Sequence, residues 1–392
     1  MARFVYADNA ATTRVIPEVV EAMLPCLTDY WGNPSSLYGK GQEAAGLLAD
    51  ARASVARSLG CKAEEIYFTS CGSESDNWAI KGAMHHAKKG RNTLITSKIE
   101  HHAVLHTCKT LEREGYRVIY LDVDEYGVVD LDQLRSVIDD TVALVAVMYA
   151  NNEIGTIEPI AEITEIAHAH GALMFTDAVQ AVGHIAIDLS TLGVDMLALS
   201  GHKFNAPKGV GALYVRRGVN IGSYIDGGGQ EKRRRGGTEN LASIVGLAKA
   251  LELAVARIPE SDRIRAMRDR LKDELLKIPY TRLNGHPTER LAGNLNIGFE
   301  FIEGESMILW LDMAGICAST GSACSSDSLD PSHVLLSIGV PHEKAHGSLR
   351  LSISHETTDE DIDYIIETLP GIVQRLRDMS PLYEAVRKSE NK

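Results

Sequence analysis

Gly171-Ala172-Leu173-Met174-Phe175-Thr176-Asp177-Ala178-Val179-Gln180 is a short apolar run bounded by glycine that ends in a carboxylate. Such a run, too short for a helix and apolar on successive residues, reads as a strand buried on both faces. The same pattern recurs on either side of it. Ile66–Thr69, Asn92–Thr96, Arg117–Leu121, Val142–Met148, Met196–Leu199 and Gly211–Val215 all read as strands, with Leu173–Thr176 among them. Amphipathic spacing predicts helices over Gly41–Leu59, Asp76–Lys89, Ala103–Glu114 and Ile160–His170. Strand and helix alternating on this scale predict an α/β fold, a mostly parallel seven-stranded sheet doubly wound with helices on both faces. Ligands on such sheets bind at the carboxyl ends of the strands.

Beyond Leu241 the pattern changes. A charged amphipathic helix over about Ala242–Ile278 contains Pro259, which should end or kink it. Asn294–Phe299 and Arg350–Ile353 read as strands, and a last helix begins near Asp359 with Thr357 or Thr358 as its cap. The expected division is a large domain over residues 14–258 and a smaller α+β domain made of 1–13 and 259–392.

Composition narrows the function. The chain has 392 residues, 44% hydrophobic and 24% charged, with a net charge of −13, which argues against nucleic acid as a partner. No apolar window approaches the roughly 18 residues of a membrane span, and the first residues lack the apolar core of a signal peptide. A cytoplasmic enzyme is the expectation. Six scattered cysteines without a Cys-x-x-Cys pair form neither a zinc site nor a disulfide framework.

The strand ending in Asp177 has a chemical companion in Ser200-Gly201-His202-Lys203. Either residue alone would be structural, Asp177 a helix cap and Lys203 a solvated cation. Together they suit pyridoxal 5'-phosphate, which needs a lysine amine for its Schiff base, an acid for its pyridine nitrogen and donors for its phosphate. Lys203 is the amine, Asp177 the acid, and Ser200 and His202 help hold the phosphate. Thr69-Ser70-Cys71-Gly72-Ser73-Glu74 follows a strand and opens a helix, so Gly72 and Ser73 read as a phosphate cradle or as an ordinary capped start. Of the adjacent His101 and His102, His101 is the candidate to stack on a ring and move protons. Asn152, in Tyr149-Ala150-Asn151-Asn152-Glu153-Ile154-Gly155, is either a turn residue or a donor to the ring oxygen or a substrate carboxylate. Thr238 follows a glycine-rich basic stretch and is offered to a phosphate, in a subunit that spacing does not decide. Arg350 could clamp a carboxylate with two hydrogen bonds. Cys324, in Ser319-Thr320-Gly321-Ser322-Ala323-Cys324, lacks apolar neighbours, which predicts an exposed, reactive thiol on a loop.

These motifs, with Gly32-Asn33-Pro34-Ser35-Ser36 and Glu303-Gly304-Glu305, resemble the cysteine desulfurases of the nitrogen-fixation (NifS) type over nearly the whole chain. That group belongs to the class V branch of the fold-type I pyridoxal-phosphate enzymes. The resemblance implies that Gln180 contacts the ring hydroxyl and that Thr238 arrives from the second subunit of a homodimer. It also implies that Asn152 and Arg350 hold the substrate carboxylate. Cys324 would take sulfur from L-cysteine as a persulfide, leaving alanine, and pass it to a sulfur acceptor or iron–sulfur scaffold protein. No resident metal is implied, and whether Cys324 transiently ligates a cluster through its persulfide is left open by the sequence. Three residues depart from the usual pattern: Ala10 for Asn, His102 for Pro or Lys, and His355 for Arg. The competing expectation is another lyase or aminotransferase on the same cofactor.

Overall fold

The structure, a computed structural model, describes residues 3–321 and 331–390. Its strands in chain order are β1 (Val5–Tyr6), β2 (Ile66–Thr69), β3 (Thr93–Ser97), β4 (Arg117–Leu121), β5 (Val142–Ala146), β6 (Leu173–Asp177), β7 (Met196–Ser200) and β8 (Gly211–Val215). They are followed by β9 (Thr281–Asn284), β10 (Asn294–Phe299), β11 (Ile316–Cys317) and β12 (Ser348–Ser352). The seven strands expected from the apolar runs form one sheet of order β2-β8-β7-β6-β5-β3-β4, with β8 antiparallel to both neighbours and the remaining pairs parallel.

Both faces of this sheet are covered, which is why its strands carry so few polar residues. In β7, Leu197 and Leu199 enter one core with Phe68, Val145 and Met174, while Met196 and Ala198 enter the opposite core with Trp78, Leu94 and Phe175. A third core gathers Leu295, Ile297, Leu349 and Leu351 of the sheet β12-β10-β9 against Met267, Leu271, Ile362 and Ile365. Val5 and Ala7 belong to it, because β1 pairs with β11 in parallel.

Pro259 acts as expected. The long helix is broken into Leu241–Arg257 and Ser261–Leu275 around a 3-10 turn at Ile258–Glu260. The helix expected near Asp359 spans Asp359–Asp378 and starts from a capping box in which Thr358 accepts from the Asp361 N–H and Asp361 accepts from the Thr358 N–H, but it is not the last, since Pro381–Glu390 forms another helix after it. The helix after β2 spans Gly72–His85 rather than Asp76–Lys89, so its first turn is the Gly-Ser-Glu-Ser stretch itself. That earlier start presents the helix N-terminus at the carboxyl edge of the sheet.

Candidate active site

The carboxyl ends of β2, β3, β5, β6 and β7 open on one side of the sheet, and each is followed by candidate residues. Asp177 closes β6 opposite Ala198 of β7, and the 3-10 turn Gly201–Lys203 follows Ser200. Register thus brings Asp177 and Lys203, distant in sequence, to one place. They line a cleft of about 330 Å³ together with Gly72, Ser73, His101, Asn152, Gln180, Ser200, His202 and Arg350.

Lys203 is half-buried, and its Nζ donates to the backbone carbonyls of Ala10 and Ala11, both at 2.8 Å. The Ala10 carbonyl also accepts from Gln180 Nε2 at 3.0 Å. Position 10 thus acts through its main chain, which explains why alanine serves there. Asp177 is buried, and its Oδ1 accepts the Val179 N–H at 2.9 Å. Burial pushes this carboxyl up to about 6, against the opposing pull of the Val179 N–H and Lys203.

The helix Gly72–His85 begins without a side-chain cap, so its first N–H groups are offered to the cleft. A Cβ on Gly72 would stand 2.7 Å from Val179 Cγ2, so only glycine lets this backbone lie so close. Buried Ser200 and half-buried His202 lie beside it; His202 Nδ1 meets Thr12 Oγ1 at 3.1 Å. Burial, with Lys203 and Lys208 nearby, lowers His202 to about 4, leaving a neutral ring.

His101 caps the helix His102–Arg113 by accepting the Ala103 N–H on Nδ1 at 3.1 Å. In the neutral ring the proton therefore sits on Nε2. Burial first, then Lys203, lowers His101 to about 4. His102 lies outside the cleft lining, stacked on His106 at a ring distance of 5.2 Å and tilted against His333 at 4.9 Å.

Arg350 is buried on β12. Its NH1 donates to the carbonyls of Asn152 (2.9 Å) and Gly321 (3.4 Å), and NH2 to Asp8 Oδ1 (2.8 Å). Its Nε has no hydrogen-bond partner among the described residues. An anion arriving in the cleft thus meets a guanidinium held in place at both tips. His355 takes no part in the cleft and receives Arg257 NH1 on Nε2 at 2.7 Å.

Among the described candidates, Thr238 alone is not in the lining of the cleft. Thr238 is exposed on the stretch leading into the helix Leu241–Arg257. Cys324 lies outside the described residues, whose last member before it, Gly321, lines the cleft.

Sequence reasoning missed the acids behind the cleft. Asp76 is buried with its Oδ1 unpartnered among the described residues, and burial with Asp177 and Glu100 nearby pushes its carboxyl well up. It follows Gly72 by one helical turn, a spacing that could have placed it on the same side. Glu100 is buried and accepts from Ser97 Oγ (2.6 Å) and the Met148 N–H (3.0 Å). Burial raises it to about 8. The stability its neutral form contributes is complete below the ordinary value of 4.5 and is lost as pH rises through about 8. Glu100→Gln keeps both acceptor contacts and cannot ionise. Its melting temperature relative to the parent chain should therefore rise by several degrees between pH 5 and pH 8.5, measured by calorimetry.

An amine, a buried acid and an uncapped helix start around one cleft fit pyridoxal phosphate in size and charge. The comparisons agree with that geometry. The chain is 58% identical over 380 residues to "Cysteine desulfurase IscS" of Methanosarcina thermophila, covering 96% of this chain and 94% of the relative. It is 52% identical over 394 residues to the protein of the same name from Clostridium botulinum, covering 100% and 99%. Among solved structures, a "NifS-like protein" superposes with a TM-score of 0.90 at 38% identity, covering 95% of this chain and all of the other. "SspA in complex with cysteine" superposes at 0.79 with 36% identity, covering 89% and 98%. The profile of the family "Aminotransferase class-V" matches residues 5–365, and the chain belongs to that family.

Proposed function

We propose that the chain is a pyridoxal-phosphate-dependent cysteine desulfurase, converting L-cysteine to L-alanine and carrying the sulfur as a persulfide on Cys324. The observation that carries this reading is the cleft itself. An amine, a buried acid, an anion cradle and a held guanidinium face one space, beside the root of the segment that bears a cysteine. When bound, the cofactor supplies an electron sink for carbanion character next to the substrate amine.

The residues divide the remaining work. Lys203 supplies the covalent anchor, and Asp177 keeps a proton on the ring nitrogen. Gln180 would hold the ring hydroxyl, and Gly72, Ser73, Ser200 and His202 would hold the phosphate. Arg350 and Asn152 receive the substrate carboxylate. His101 holds its proton on the nitrogen that remains available, Nε2, and is suited to deliver it within the cleft. The Cys324 thiolate attacks the substrate sulfur; the carbon–sulfur bond breaks, a sulfur–sulfur bond forms, and the carbon takes a proton. Atoms balance without an external oxidant.

The surface supports a homodimer. Helix Pro17–Thr28 and the loop after it leave Leu24, Leu27, Trp31, Leu37 and Tyr38 exposed, Leu37 at 93% and Trp31 at 68%. A monomer rarely leaves so many large apolar side chains in water within one short stretch. This helix packs on Leu241–Arg257, the helix that Thr238 precedes, so an apolar face and an unused phosphate ligand share one neighbourhood. Thr238 then serves the phosphate of the second subunit. The three cores suggest a large domain over 14–258 and a smaller one from 1–13 and 259–392. Among the described residues no helix is long and apolar enough to cross a membrane, and we place the enzyme in the cytoplasm, delivering sulfur to an acceptor protein for iron–sulfur cluster assembly.

Intact-peptide mass spectrometry tests the persulfide. After incubation with L-cysteine, the peptide containing Cys324 should carry one extra sulfur that a thiol reductant removes. An unmodified Cys324 peptide, with the sulfur found on another cysteine, would sink the assignment.

A further inference from the structure

The arm that presents Thr238 leaves the sheet through a turn that L-residues rarely make. Glu231, Lys232 and Arg233 stand in succession at φ of 44°, 60° and 65°, where each side chain crowds its own backbone. Such a run persists only where its surroundings over-determine it. Here the surroundings do. Glu231 is buried, and its carboxylate receives Arg52 NH1 and NH2 at 2.8 and 2.7 Å and the Phe68 N–H at 3.0 Å. Lys232 Nζ donates to the Glu64 carbonyl and lies 4.2 Å from the centre of the Tyr67 ring. Arg235 forks onto Glu74 at 2.8 and 3.2 Å, and Glu74 in turn accepts the Ser70 N–H at 2.9 Å. Gly236 crosses Gly227 so closely that a Cβ on Gly236 would stand 2.9 Å from Gly227 Cα.

Apart from Arg52, on the helix Gly39–Leu59, these side-chain anchors run to β2, to the turn before it, or to the Ser70–Glu74 stretch that opens the helix after it. The arm is therefore tied to the same strand and loop that form the chain's own phosphate cradle, while Thr238, just beyond Gly236 and Gly237, stays exposed.

We propose that Glu231 is a positioning residue: with Arg52 it holds the arm in its left-handed turn so that Thr238 is preset for a phosphate in the cleft of a second copy of this chain. The inference rests on the reading of Thr238 given above. Its physical content is preorganisation. A hydroxyl on a free arm must be ordered at the moment of binding, and that ordering cost comes out of the affinity.

The test is cofactor retention by the dimeric holoenzyme at equilibrium dialysis, for the parent chain, T238A, E231Q, E231A and the double variant T238A/E231Q. Enzyme reconstituted with pyridoxal, which lacks the phosphate, is the control. T238A should weaken pyridoxal phosphate by about tenfold, the scale of one hydrogen bond to a charged group. E231Q should weaken it similarly, the double variant no further than T238A alone, and pyridoxal should be retained equally by all. Should the glutamine amide preserve the anchor, E231A must show the loss in its place. Additive losses in the double variant, equal losses of pyridoxal, or full retention by both Glu231 variants would overturn the proposal. Full retention by T238A would instead overturn the reading of Thr238, and the proposal with it.

Discussion

Lys203→Ala should lower turnover of L-cysteine on the order of 10⁴-fold or more, the scale reached when a covalent catalytic group is removed. The reason lies in how the amine is held. Its Nζ points between the carbonyls of Ala10 and Ala11, with the Lys203 carbonyl fixed in turn by His184 Nε2 at 3.0 Å, so both ends of the side chain are set. Arginine cannot substitute, since a guanidinium does not form the imine and stays protonated. The phosphate cradle does not depend on this side chain. The variant should therefore still bind pyridoxal phosphate, but borohydride reduction should no longer fix it to the peptide containing residue 203. A covalent adduct that persists elsewhere would move the anchor to another lysine.

Cys324→Ala should be as severe for sulfur transfer and silent for the cofactor. The thiol enters only after the substrate is in place, so the variant should keep the cofactor's absorbance and its change on adding L-cysteine. Sulfide and alanine formation should fall by about 10⁴-fold. This split separates a desulfurase from other lyases on the same cofactor, which need no thiol. Undiminished sulfur release by the variant would show that another group takes the sulfur. Cys71 is the alternative to examine in that event, because it lines the cleft.

The large sheet was legible because burial on both faces removes polar residues from its strands. In β5, β6 and β7 the apolar run and the strand nearly coincide. The pair Asp177 and Lys203 was legible for a related reason, since the fold presents strand ends to the ligand and the chemistry there needs rare combinations. Other parts left no such trace. The Ala10 and Ala11 carbonyls that hold Lys203 are main-chain groups, and no side chain signals them. Arg350 is matched by Asp8 from the far end of the chain, a contact made only once β1 docks beside β11. Asp76 read only as a helix-start residue and Glu100 drew no reading, because burial, which decides their protonation, is a property of the fold. Helix Pro17–Thr28 escaped notice because its exposed side carries Val20, Leu24 and Leu27 as well, which blurs the apolar stripe that marks a surface helix.

The central claim is tested most directly by the products formed from L-cysteine in the presence of a thiol reductant, with alanine, sulfide and pyruvate quantified together. The account predicts alanine and sulfide in equal amounts and no pyruvate. Pyruvate formed in step with sulfide would mean elimination rather than sulfur transfer, and the role given to Cys324 would be contradicted.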